Sequence, residues 1–231
     1  MKEKIVGVLG GKGPEATETL LRLIIKHTPV SVEEDHLRVI IDNNPKIPKP
    51  ALAITGEGPD PVPALIETAR NLEKAGADFL VIPCNSAHYY LDQVQPAITI
   101  PVLSIIDATV EAARNQGCKM VAVLATTGLI NSAIYQKRLS EAGMGVLTPQ
   151  PEEQERLMKR ILHFKDLGEM HGLKEIVSDL VNALQRRGAD AVALACTEIP
   201  VVYSVEESPV ICFDTIDILA RTAVRFAKGL N

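Results

Sequence analysis

The feature that most constrains this chain is a repeat inside it. "KIVGVLGGKG", beginning at Lys4, has a counterpart in "KMVAVLATTG", beginning at Lys119. "GADFLVIPCN" at Gly76 has one in "GADAVALACT" at Gly188, and "IPVLSIIDATVEAA" parallels "SPVICFDTIDILARTA". The repeated unit is α/β. Its short apolar runs, "KIVGVLG", "HLRVIIDN", "ADFLVIPC" and "PVLSI" and then "KMVAVLAT", "ADAVALAC" and "PVICFD", alternate with amphipathic stretches. "PALIETARNLEKAG" spaces Leu65, Ala69, Leu72 and Ala75 on one helical face before Gly76, and "LKEIVSDLVNALQRRG" does so with Leu173, Ile176, Val177, Leu180 and Leu184 before Gly188. Alternation of this kind predicts βαβ units and parallel sheets. The expected organisation is two pseudo-symmetric domains, 1–105 and 106–231, with a C-terminal helix over about 214–231 packing back on the first. Ligands of open α/β sheets bind at the carboxyl ends of the strands. A site in a cleft between the two units follows if a pseudo-twofold axis relates them.

Composition excludes several classes. At 231 residues and 46% hydrophobic content the chain can bury a substantial core, and disorder is excluded. A net charge of −5, with Lys and Arg scattered rather than striped, argues against nucleic acid as a partner. No apolar run approaches membrane-span length, and the start "MKEKIVGVLGG" lacks a signal peptide's apolar region and cleavage site, so the expectation is a cytoplasmic protein with no membrane partner. Four cysteines without dense spacing read as reduced thiols. Only 3% of residues are aromatic and none is Trp, which predicts an aliphatic interior and argues against stacking platforms.

The glycine loop "GVLGGKGPEAT" invites a nucleotide reading and fails it. Gly7 to Gly11 is one residue short for a Walker loop, and Gly13 stands where the magnesium-binding hydroxyl belongs. Gly11, Gly13 and Ala16 fit the relaxed dinucleotide pattern. However, Glu33, Glu34 and Asp35 precede the next apolar run instead of ending it. What remains is a strand-to-helix turn whose N–H groups suit an anion. Its counterpart in the second half is Ala125-Thr126-Thr127-Gly128.

Two of the four cysteines occupy equivalent places. Cys84 and Cys196 each end an apolar strand after a Gly-Ala-Asp start, and each precedes a polar pair, Asn85-Ser86 and Thr197-Glu198. A helix following each thiol would favour the thiolate. Cys118 and Cys212 lie inside apolar runs and read as core. His88, one turn beyond Cys84, is the only nearby histidine, too few ligands for zinc, so no metal is expected. Two symmetric thiols suit inversion of a stereocentre: one thiolate takes a proton from one face while one thiol returns a proton to the other. No cofactor is needed if preorganised donors hold the enolate-like intermediate.

"GVLGGKGPEAT", "NNPKIP", "IPCNSAHYY" and "ACTEIP" together resemble the motifs of the cofactor-independent aspartate/glutamate racemase family, and the resemblance runs essentially the whole length. It implies two flavodoxin-like α/β domains, catalysis by Cys84 and Cys196, no pyridoxal phosphate, a small-molecule amino-acid substrate and a homodimer. Asn85, Ser86 and Thr197 beside the thiols would donate to a substrate carboxylate. Thr126 and Thr127 would bond the amino or carboxylate group, Asn43 would face the same site, and Lys165 stands where the family places a cation.

The chain also departs from the family. Where the family's second-strand loop runs Ile-Pro-Asp-Arg-Thr, with the Arg on the distal carboxylate, this chain reads Ile47-Pro48-Lys49-Pro50-Ala51. The Arg is replaced by Pro50, a bidentate receptor lost. Lys12 stands where the family has Met, and Leu219 where it has His. Lys12 is therefore expected to supply the missing charge. Aspartate or glutamate is the first-guess substrate, with broader or altered specificity. The competing readings are a maleate-isomerase-like isomerase or decarboxylase, and a non-catalytic protein that binds a carboxylate metabolite.

Overall fold

A computed structural model describes residues 3–168 and 171–230, apart from the side chains of 165 and 166. The chain divides into two compact units, Met1–Ala108 with Ile216–Asn231, and Thr109–Thr215. In the first, β1 (Val6–Gly10) leads into α1 (Pro14–His27), β2 (Val39–Asn43), α2 (Pro50–Ile54), α3 (Val62–Lys74), β3 (Phe79–Val81), α4 (Leu91–Val94) and β4 (Val102–Leu103). Helix α5 (Ile105–Asn115) runs on into the second unit. There β5 (Met120–Leu124) is followed by α6 (Thr127–Asn131), α7 (Ile134–Glu141), β6 (Gly145–Leu147), α8 (Pro151–Leu167), α9 (Leu173–Arg186), β7 (Ala191–Leu194), α10 (Ile199–Val202) and β8 (Ile211–Asp214). Helix α11 (Thr215–Lys228) closes the chain.

The repeat in the sequence is a repeat in topology. One sheet has the order β2-β1-β3-β4 and the other β6-β5-β7-β8, and every pairing is parallel. The Gly-Ala-Asp tripeptides show why the pattern recurs. Gly76 and Gly188 turn the chain out of α3 and α9 at φ of 95° and 99°, where a Cβ is disfavoured. Ala77 and Ala189 are buried. Asp78 then accepts a 2.7 Å hydrogen bond from Ile5 N, and Asp190 accepts one of 2.7 Å from Lys119 N, so each carboxylate latches the start of its central strand.

Each unit has its own aliphatic core. Leu65, Ala69 and Leu72 of α3 pack with Leu9, Leu80 and Ile82, while Val177, Leu180 and Leu184 of α9 pack with Leu124, Val192 and Leu194. Ala75, assigned to the apolar face of α3 by its spacing, is exposed at the helix end. Thr68 is buried in its place. Helix α11 lies in the first unit, where Phe226 meets Phe79 edge-on at 4.8 Å and His27 bonds Asp217 at 2.6 Å. Among the described residues no helix is long and apolar enough to cross a membrane.

One strand was not among the runs read from the sequence. β6 has three half-buried residues at a sheet edge and pairs only with β5. So short an edge strand carries too little hydrophobic pattern to stand out from a loop.

Candidate active site

The glycine loop forms a tight strand-to-helix turn whose inner donor is already used. Gly11 N donates to Thr17 Oγ1 at 3.0 Å, and Thr17 is buried. Gly11 has φ 94°, and a Cβ there would lie 2.3 Å from the backbone of Asn44. The glycine therefore serves the close approach of the β2 loop. Lys12 strengthens that contact: its Nζ donates to the Pro45 carbonyl at 3.1 Å and to the Ile47 carbonyl. Pro50, which replaces the expected Arg, is the first residue of α2, a position its fixed φ suits. Asn43 is exposed at the end of β2, opposite Gly10. Leu219 is fully buried on α11.

Both thiols lie just past the end of the third strand of their unit, Cys84 after β3 and Cys196 after β7. Both are buried and neither is in a disulfide. The segments that follow are short: Asn85–Tyr90 is a 3₁₀ helix with Cys84 at its N-cap, and α10 has four residues, so the helix dipole beside either thiol is small. Asn85, Ser86 and Thr197, expected as substrate donors, are buried beside their thiols, at 2%, 6% and 4% exposure.

His88 holds the first turn in place. Its Nδ1 donates to the Cys84 carbonyl at 2.9 Å, and its Nε2 accepts from Ile105 N at 3.1 Å. Those two bonds require the neutral ring. Burial pushes the imidazole pKa down to about 4, against the upward pull of the Cys84 and Leu103 carbonyls and of Asp107.

The second thiol has a partner that the sequence reading passed over. Cys196 Sγ donates to Glu198 Oε2 at 3.0 Å, and Thr197 Oγ1 donates to the same oxygen at 3.3 Å. Glu198 is 6% exposed. A base within hydrogen-bond reach of a thiol is the arrangement that activates it. The available signal was the acidic residue two positions after the cysteine, in a segment already singled out for its polarity.

The second-half loop is held as firmly as the first. Thr126 caps α6, its Oγ1 accepting from Leu129 N at 3.3 Å. Thr127 is half-buried at the first position of that helix and accepts from Gln154 Nε2 at 3.2 Å. Nothing in the sequence marked Gln154, which reads as one polar residue in an amphipathic helix. Lys165 belongs to α8, and its side chain lies outside the described residues. Among the described residues no three His, Cys, Asp or Glu side chains group as metal ligands.

The chain matches the family described as Asp/Glu/Hydantoin racemase over residues 9–223. It is 29% identical to the broad specificity amino-acid racemase RacX of Bacillus subtilis, covering 95% of this chain and 96% of that one. The Picrophilus torridus aspartate racemase superposes with a TM-score of 0.85 at 30% identity, covering 97% of this chain and 94% of that one. An aspartate racemase homologue from Pyrococcus horikoshii gives a TM-score of 0.77 at 28% identity over 97% and 99% of the respective chains. The fold and these matches define an isomerase of the racemase class. The chain belongs to the Asp/Glu/hydantoin racemase family.

Proposed function

We propose that this protein racemises an α-amino acid without a cofactor, using Cys84 and Cys196 as the paired acid and base. The observation that carries the reading is the equivalent placement of two buried thiols past the third strand of duplicated units, the second of them bonded to a buried carboxylate. In one direction the Cys196 proton passes to Glu198, leaving a thiolate and a carboxylic acid. The thiolate removes the α-proton and becomes a thiol again. The Cys84 thiol then protonates the opposite face of the carbanion and is left as the thiolate that starts the reverse reaction. Hydrogen-bond donors beside the thiols, Asn85, Ser86 and Thr197, together with Thr126 and Thr127, stabilise the developing charge on the substrate carboxylate.

Aspartate and glutamate lead as substrates because relatives carry those names, and breadth is expected for two reasons. One is that a relative matched over nearly its full length is a broad specificity racemase. The other is that Pro50 offers no charge to a distal carboxylate. Lys12, Asn43 and Lys165 belong to the same proposal as further substrate contacts. So do a homodimeric assembly, read by light scattering, and a cytoplasmic location.

The test is incubation of the purified protein in deuterated buffer with a panel of single-enantiomer amino acids. The expected result is α-deuterium incorporation together with loss of optical purity, unaffected by chelators and hydroxylamine and abolished by thiol alkylation. Binding without exchange on every member of the panel would replace this reading with that of a carboxylate-binding protein.

A further inference from the structure

The second-half loop is held by an amide that is itself left incomplete. Gln154, 7% exposed near the start of α8, spends both amide hydrogens on that loop: one on the Ala125 carbonyl at 3.0 Å and one on Thr127 Oγ1 at 3.2 Å. The orientation of the amide is fixed, because a backbone carbonyl only accepts and must face the nitrogen end. Its Oε1 is consequently buried without a hydrogen-bond partner among the described residues. A buried carbonyl left unpaired is unfavourable and calls for an explanation. A side chain present only to fill space would serve better as Met or Leu, with no oxygen to strand. The two N–H groups on the loop are what the amide supplies and an apolar side chain cannot.

We propose that Gln154 is a positioning residue for substrate recognition, presetting the Thr127 hydroxyl as a donor. A hydroxyl has one proton and two lone pairs. With the Gln154 N–H directed at the Thr127 oxygen, the hydroxyl proton turns away from Gln154, and among the described residues it meets no acceptor. It is held ready for an anionic group, and on the racemase reading above that group is the α-carboxylate of the amino acid. Gln154 also bonds the Ala125 carbonyl, which anchors the amide beside Thr127. The interaction is local to the second unit and reaches the ligand only through Thr127.

The test is a double-mutant cycle of Gln154→Met and Thr127→Val, with Gln154→Glu as a third variant. Kinetics are measured on the amino acid that wild type turns over, binding of L-aspartate and L-glutamate by calorimetry, and folding by thermal melts. Gln154→Met keeps the volume and removes the donors. It should raise KM roughly ten- to hundred-fold, the worth of one charge-assisted hydrogen bond, with kcat within a few-fold of wild type. Gln154→Glu places an acceptor on the Thr127 hydroxyl, consuming its proton, and should raise KM further. The double variant should be no worse than Thr127→Val alone, since Gln154 acts through Thr127. An unchanged KM in a folded Gln154→Met protein, or additive effects in the cycle, overturns the inference and leaves the racemase reading standing. Wild type that binds the two acids with Gln154-dependent affinity but turns over no amino acid overturns the racemase reading and supports the inference. Wild type that neither turns over nor binds any amino acid overturns both.

Discussion

The Cys196 thiol and the Glu198 carboxylate lie 3.0 Å apart, both buried and only two residues apart in the chain. The corresponding position after Cys84 is Ser86, so the duplicated units differ at the residue that stands two places beyond each thiol. The thiols are duplicated, and the carboxylate two places on is not.

Replacing that partner should therefore impair turnover without unfolding the protein. Glu198→Gln keeps the shape and removes the proton acceptor, and kcat/KM should fall about 10²- to 10⁴-fold, the usual weight of general base catalysis. Enantiomers have equal free energy, so kcat/KM must fall by the same factor in both directions. Polarimetry from each pure enantiomer checks this, and a variant with wild-type rates would remove Glu198 from the mechanism.

Cys84→Ser and Cys196→Ser should each abolish racemisation with melting curves near wild type, because each direction requires one acid and one base. Cys118→Ala should retain activity. So should Cys212→Ala, whose thiol burial pushes up to about 12, far from a working thiolate. Strong racemisation by both serine variants would refute the two-thiol scheme.

His88 predicts an acid limb in stability. Its folded pKa near 4 lies below the ordinary value of 6.5, so the unfolded chain binds the proton more tightly. Stability is fully present above pH 6.5 and declines as pH falls towards 4, by on the order of 3 kcal/mol for this group. Urea melts between pH 7 and 4 measure the slope, and His88→Asn should flatten it while lowering stability at pH 7.

Lys12→Met separates two roles. Loss of the bonds to the Pro45 and Ile47 carbonyls should cost about 1.5 to 3 kcal/mol in urea melts. If the ammonium also receives a distal carboxylate, KM for aspartate or glutamate should rise at least roughly ten-fold at constant kcat. Lowered stability with unchanged KM would make the loop tether its whole role.

Gly11→Ala should be far more damaging than Gly76→Ala, although both glycines have φ near 95°. At Gly76 no atom lies within 4 Å of an added Cβ, so only the left-handed backbone is penalised, by about 1 to 2 kcal/mol. At Gly11 the Cβ would meet the backbone of Asn44, adding about 1 to 3 kcal/mol for overpacking. Denaturant midpoints for the two variants test the difference.

The sequence alone determined the duplication, the parallel α/β class and the two equivalent thiols. Each is written in local terms: apolar runs, helical spacing, and Gly-Ala-Asp tripeptides whose glycine, alanine and aspartate do the same work in both units. Hydrophobic periodicity and turn chemistry survive in a linear reading because they act between near neighbours. Tertiary structure decided which polar groups meet. Gln154 reaches back to Ala125 and Thr127, Lys12 reaches forward to Pro45 and Ile47, and His88 bonds Ile105. A hydrogen bond depends on distances of about 3 Å and on direction, and neither is set until the strands and helices that carry the partners have packed. For that reason the equivalent placement of Cys84 and Cys196 was legible in the sequence, while the bond from Cys196 to Glu198 and the long-range bonds that hold the loops were not.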